Sequence, residues 1–198
     1  MTAGEVFARR GFRDSTVREI STLAGANLAA VNYHFGDKKG LYHAVIACGH
    51  EAAGPMPADE AAGISDPREA LRVYCRAFLR RILDHRKPEW HSKLMAREMA
   101  EPTEALDEMV KMMIRPHWER LGAIVGAILG PSASPRLVRL ATQSITSQMV
   151  FYAHARPVLD RLFPAEEWSP ASIERRGEDV AAFSLAALDS LRRVGGKA

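Results

Sequence analysis

The sequence holds no proline before Pro55, only two cysteines, and no nearly uncharged apolar run longer than the ten residues of 121–130. A membrane-spanning helix needs about 20 such residues, so none is expected. Cys48 and Cys75 could form at most one bridge, and each sits inside a helical pattern. A reduced chain in the cytoplasm is therefore expected, rather than a disulfide scaffold. The start carries Glu5, Arg9 and Arg10 in a short helical pattern, in place of an apolar segment and cleavage site, and reads as no secretory signal. Catalytic signatures are missing too. There is no phosphate-cradling glycine loop, no Gly-x-Ser-x-Gly turn and no His-Glu-x-x-His pair. The seven histidines include no i,i+4 pair and the cysteines lie 27 apart, so no metal, cofactor or enzymatic activity is expected.

What remains is a 198-residue chain, 47% hydrophobic and 26% charged, with a formal net charge of +3. That balance is the one of a globular protein with a sizeable core. So small a surplus does not by itself imply a nucleic-acid partner; its placement matters more. Residues 1–50 carry six basic groups (Arg9, Arg10, Arg13, Arg18, Lys38, Lys39) against four acidic ones, so most of the surplus lies in the first quarter.

Eleven prolines then punctuate residues 55–170. Proline cannot donate to a helix ladder, so most should mark boundaries between helices. Between them the apolar residues recur at spacings of three and four, with no run of strict alternation. The fold class is all-α. Helices are expected over about 2–10, 16–24, 28–35, 38–51, 67–86, 90–101, 103–130, 134–157 and 171–194, with residues 54–66 as a linker. Two domains follow, 1–52 and 53–198. Gly11 should end the first helix, and Thr16 with Glu19 forms a capping box for the second. Asn27 and Asp37 are the caps of the third and fourth.

The second and third helices are short and joined by only Gly25-Ala26-Asn27, the pattern of a helix-turn-helix. With Val31 and Phe35 toward the core, the third helix would present Ala29, Ala30, Asn32 and Tyr33, with His34 at its edge. Small residues allow close approach to a groove floor, and an asparagine amide can pair with adenine. Tyr33, His34 and Lys38 suit phosphate oxygens.

The segment GFRDSTVREISTLAGANLAAVNYHFGDKKGL, residues 11–41, resembles the DNA-binding domain of the TetR family of bacterial transcriptional regulators. The resemblance implies a homodimer that places this third helix in the major groove of a palindromic operator on double-stranded DNA. It further implies phosphate contacts from Thr16, Tyr33, His34 and Lys38, and base-facing positions at Arg18, Leu28, Ala29 and Asn32. Two departures stand out. Asn32 occupies a position where many members carry tyrosine. Members also begin their first helix a turn or two earlier, so either the start lies upstream or this helix is short.

The later stretches AREMAEPTEAL, IRPHWERL and QMVFYAHARPVL resemble the CecR-like, antibiotic-sensitivity-linked subfamily. Family resemblance implies a region that binds a small effector and forms the dimer. Pocket candidates are Phe78, Met95, Glu98, Met99, Met113, His117, Trp118, Gln143, Ser147, Gln148 and Phe151. Residues 180–188, VAAFSLAAL, are apolar nearly all round, so their helix should be buried on two sides, one of them a partner's. Dimer candidates are Ile145, Met149, Tyr152, Phe183, Leu185 and Leu188. Pro116 should kink its helix and free a carbonyl near His117, and Gly122 with Gly126 should permit close helix packing. The function expected is a ligand-responsive repressor released from its operator by a small, largely apolar effector. The alternatives are an all-α ligand-binding or hydrolytic domain keeping the helix-turn-helix as scaffold, and a dimeric helical interaction protein.

Overall fold

The computed structural model describes residues 2–52, 54–83 and 89–195. Among the described residues twelve α-helices follow in order: α1 (Thr2–Asp14), α2 (Val17–Leu23), α3 (Leu28–Phe35), α4 (Lys38–Glu51), α5 (Pro57–Glu60), α6 (Pro67–Leu83), α7 (Glu89–Ala100), α8 (Ala105–Met109), α9 (Arg115–Leu129), α10 (Pro135–His154), α11 (Arg156–Leu162) and α12 (Pro170–Gly195). A π-helical turn, Val110–Ile114, joins α8 to α9. Among the described residues there is no strand. No described helix is long and apolar enough to cross a membrane. The expected run of α6 to residue 86 and the boundary at Pro88 lie outside the described residues.

Local chemistry explains the ends of the first helices. Gly11 breaks α1 with φ 81° and ψ 175°, after which the chain makes one further helical turn. The caps at Thr16, Asn27 and Asp37 accept from the backbone N–H of Glu19, Ala29 and Gly40. The capping box is half formed, because the Glu19 carboxylate pairs with Arg10 at 3.1 Å.

Two elements depart from the expected pattern. Residues 54–66 contain α5, and residues after Ala155 form α11; both start with proline in the first turn. A proline costs nothing there, since the first amides of a helix have no partner. The expected long helix over 103–130 also changes register, at the π-turn rather than at Pro116 itself. Pro116 lies in the first turn of α9. Its missing N–H and the clash of its ring with the carbonyl four residues back favour the wider turn just before it.

The helices form two compact units. One comprises the described residues of Met1–Gly54 and His85–Lys111, the other those of Pro55–Asp84 and Met112–Ala198. In the first unit Val6, Phe7, Ile20, Leu41, Tyr42, Ile46, Trp90 and Leu94 are buried. The Phe7 and Tyr42 rings meet edge to face, with centroids 4.9 Å apart.

The second unit is organised around α6, packed against α9, α10 and α12. Leu71, Tyr74, Leu79, Leu121, Val125, Ile145, Met149, Leu185 and Leu188 belong to its continuous core. Gly177 of α12 lies against α6 so closely that an added Cβ would stand 2.7 Å from the Arg76 Cα. This contact, rather than one at Gly122 or Gly126, is the tight helix crossing. A Cβ at those two positions would find its nearest neighbours at 3.8 and 4.0 Å.

Gly177→Ala is therefore expected to destabilise the protein by about 1–3 kcal/mol through overpacking, despite a helix-propensity gain of about 1 kcal/mol. Gly122→Ala should stabilise it by about 0.5–1 kcal/mol. Urea unfolding of both variants checks the opposite signs.

Candidate nucleic-acid interface

In the first unit α2 and α3 are linked by Gly25, whose φ of 62° lets the chain reverse within three residues. The turn is fixed by the Ala26 N–H donating to the Ser21 carbonyl at 2.9 Å. No residue of α3 is buried. Val31 is half-buried and Phe35 is 40% exposed, so the face expected to be core is only partly covered.

Tyr33 is 86% exposed, and Ala29, Ala30, Asn32 and His34 are exposed with it; Leu28 is half-buried. The Tyr33 and His34 rings stand 5.4 Å apart, edge to face. Thr16 and Arg18 are exposed on and before α2. The Thr16 Oγ1 already accepts the Glu19 amide at 3.1 Å, which leaves its hydroxyl hydrogen free to donate outward. Lys38 opens α4. Its Nζ donates to the Ser15 carbonyl at 3.0 Å and the Arg13 carbonyl at 3.2 Å, and lies 4.6 Å from the Phe12 ring centroid. An ammonium has three donors, so one remains for an outside acceptor.

The expected effector residues fall into separate places. Met95, Glu98 and Met99 lie on α7 in the first unit. Glu98 is not a pocket wall but an internal hydrogen-bond acceptor, 1% exposed and bonded to Tyr42 and Thr103. The second unit brings Phe78 and His117 together. Their ring centroids are 6.4 Å apart, and Tyr74 completes the group at 6.1 Å from Phe78. Met113 is half-buried just before them, and Trp118 lines an open groove of about 410 Å³ with Val138 and Thr142.

The carbonyl of His117 accepts from the Tyr74 hydroxyl at 3.2 Å, and His117 Nε2 lies 3.2 Å from Met56 Sδ. Met56 and Arg81 belong to this cluster, and nothing in the sequence pattern marks them. Met56 sits in a segment that reads as linker, and Arg81, 8% exposed, donates to the Pro55 carbonyl at 3.1 Å. Gln143, Ser147 and Phe151 do not join it. They lie exposed along α10, and Gln148 donates to the Ser144 carbonyl.

Of the expected dimer residues, Ile145, Met149, Leu185 and Leu188 turn into the second unit's own core. Tyr152 packs partly against that core, while Phe183 is 70% exposed. A pattern apolar all round identifies a buried helix but not which stripe faces home. Here the outer stripe of α12 is Ala182, Phe183, Ala186 and Ala187, and that of α10 includes Leu140, Gln143, Ser144, Ser147 and Phe151.

His117 is held neutral: burial, and then the Arg81 charge, push its pKa down to about 4. The unfolded chain takes up this proton at higher pH than the folded one. The resulting stability is fully present above about pH 6.5 and is lost as pH falls from there toward 4. His117→Gln should flatten the fall in melting temperature over that window, as read by thermal melts at stepped pH.

A short, capped helix pair that exposes an amide, a phenol and an imidazole in succession, in one chain with a larger helical unit, has the form of a helix-turn-helix protein. A sequence model for bacterial regulatory proteins of the TetR family matches residues 2–45. A second, for the C-terminal domain of the HTH-type transcriptional dual regulator CecR, matches residues 67–188. The chain belongs to the TetR family of DNA-binding transcriptional regulators, with a C-terminal part of the CecR type, and is not an enzyme.

The dual regulator CecR of Shigella flexneri is 26% identical over 156 residues, 70% of this chain and 67% of that protein. The HTH-type transcriptional repressor NicS of Pseudomonas putida is 33% identical over 70 residues, 35% of this chain and 33% of that protein. Among solved structures, the TetR-family regulator PfmR of Thermus thermophilus superposes with a TM-score of 0.65 at 18% identity, over 93% of this chain and 91% of that one. The ketosteroid transcriptional regulator KstR2 of Mycobacterium tuberculosis gives a TM-score of 0.61 at 17% identity, over 94% and 90%. These two share the fold.

Proposed function

We propose that the protein is a cytoplasmic repressor that reads a palindromic operator as a homodimer and is released by a small, largely apolar effector. The observation that carries this reading is the outer face of α3, where Tyr33 is 86% exposed between the exposed Asn32 and His34. An amide, a phenol and an imidazole exposed at successive positions on the second helix of a helix-turn-helix are the groups that hydrogen-bond base edges and phosphates in a groove. Thr16, Tyr33, His34 and Lys38 take phosphate oxygens and set the register. Arg18, Leu28, Ala29 and Asn32 meet the bases, with Asn32 suited to adenine and Leu28 to a thymine methyl.

The chain divides in function at 52/53, with the DNA-facing side chains in residues 1–52 and those that meet effector and partner in 53–198. Phe78 and His117, backed by Tyr74 and Met56, are the nucleus of the effector site. Phe183, with Leu140 and Phe151, is the nucleus of an isologous contact between α10 and α12 of two copies. Two reading helices one DNA turn apart, about 34–36 Å, would enter successive major grooves. An effector that prefers another spacing weakens binding by its differential affinity, typically about 1–3 kcal/mol.

Titration of a labelled random duplex pool at about 0.05 and 0.2 M salt tests the reading. A sequence reader retains a saturable fraction at the higher salt that an excess of unlabelled homopolymeric duplex, which lacks the site, cannot displace. Complete loss of binding between the two salts would mark a non-specific binder and overturn it.

A further inference from the structure

Glu98 is 1% exposed, and a carboxyl so buried is costly unless its oxygens are hydrogen-bonded. Both are. Oε2 accepts the Tyr42 hydroxyl at 2.6 Å, and Oε1 accepts the Thr103 N–H at 2.7 Å and the Thr103 hydroxyl at 2.8 Å. The carboxyl thus joins α4 to α7 and to the turn before α8. Burial first, and then this bond, push the Tyr42 phenol well above its ordinary pKa, so it stays a donor.

Tyr42 lies one helical turn after Lys38, and the two flank the Phe12 ring, at 5.0 Å between the Tyr42 and Phe12 centroids and 4.6 Å from Lys38 Nζ. Lys38 in turn holds the Ser15 carbonyl at the entrance to α2. A connected path therefore runs from Glu98 to the start of the helix-turn-helix.

The rest of α7 is built into the same unit. The Trp90 ring lies against Gly4 of α1 and Gly49 of α4, where an added Cβ would come within 2.4 and 3.0 Å of it. Yet α7 and α8 fall inside residues 67–188, the part matched by the CecR C-terminal description. In the chain they stand between α6 and α9, both of the other unit, and the division between units falls within the π-turn, at Lys111/Met112. A π-turn is a local register irregularity, frequent at functional sites. By sequence the arm belongs to the regulatory part; by packing it belongs to the reading part.

We propose that Glu98 is a positioning residue for DNA recognition: through its bond to Tyr42, the α7–α8 arm carries the state of the C-terminal unit to α4 and the reading helix. The inference rests on the regulatory reading above and names the residues through which that regulation passes. The connection at residues 52–55 alone is then insufficient for coupling.

Linkage is reciprocal, so DNA itself can serve as the probe. Hydrogen exchange of the full-length protein, free and bound to duplex retained from a random pool, reads the response of α6 and α9. In the unaltered protein, duplex binding changes exchange in α7 and also in α6 and α9. Tyr42→Phe keeps the ring packing on Phe7 and Phe12 but loses the bond. It should weaken duplex affinity about tenfold, with the response of α6 and α9 abolished. Glu98→Gln, which keeps an acceptor for Tyr42, should retain part of both the affinity and the response. Glu104→Gln, which removes the exposed pair with Lys39 on the same arm, leaves the response intact. A Tyr42→Phe protein in which α6 and α9 still respond overturns the proposal. So does an unaltered protein that binds duplex with no response there. An unaltered protein that retains no duplex overturns the regulatory reading and this proposal with it.

Discussion

Alanine at both Tyr33 and His34 is expected to lower affinity for a specific duplex by at least about 100-fold and to leave thermal stability unchanged. A hydrogen bond to a charged group is worth about 1.5–3 kcal/mol. Losing even one per half-site in a two-fold complex removes twice that, which is a factor of about 100 or more. Stability should not follow, because neither side chain is buried: Tyr33 is 86% exposed and its nearest ring partner is His34. Phosphate contacts carry no sequence information, so the variant's residual binding should keep its base preference. Asn32→Ala should behave in the opposite way, relaxing preference at one base pair by about 1–3 kcal/mol. Anisotropy titrations with single-base variants of the bound duplex separate the two. A double alanine variant with undiminished affinity would remove α3 as the reading element.

Phe183→Glu is expected to convert a dimer to monomers and to remove tight DNA binding without touching the DNA-facing surface. The side chain is 70% exposed in the single chain, amid the exposed Ala182, Ala186 and Ala187 of α12, and beside a stripe of α10 in which Leu140 and Phe151 are 47% and 54% exposed. In an isologous contact every residue appears twice, so one substitution brings two like charges into the same apolar face. An uncompensated buried charge costs about 3–5 kcal/mol, enough to raise the dimer dissociation constant by at least 100-fold. Sedimentation equilibrium reads the mass directly. An unaltered protein that sediments at the 21.8 kDa of one chain would contradict the α10–α12 interface.

These expectations depend on features of very different legibility. The caps at Thr16, Asn27 and Asp37 and the break at Gly11 are readable because each is settled by a side chain or a φ within three residues of the event. The short helices α5 and α11 are not, because Pro57 and Pro157 look like terminators although proline also opens a helix. Helix faces are less legible still. Residues 180–188 read as apolar all round, and only the packing partners decide that Leu185 and Leu188 turn inward while Phe183 turns outward. Glu98 marks the limit of reading along the chain. As a lone carboxyl in an apolar pattern it looks like a ligand-facing group, and its true partner, Tyr42, lies 56 residues away.

On this reading α3 recognises DNA sequence from a two-fold assembly. Selection from random duplex DNA at about 0.15 M salt, where non-specific phosphate binding is already weakened, tests it most directly. An inverted repeat whose half-sites lie about one helical turn apart should be enriched, each half-site losing its identity at one adenine when Asn32 is replaced by alanine. Enrichment of no motif by a folded, dimeric protein would contradict it.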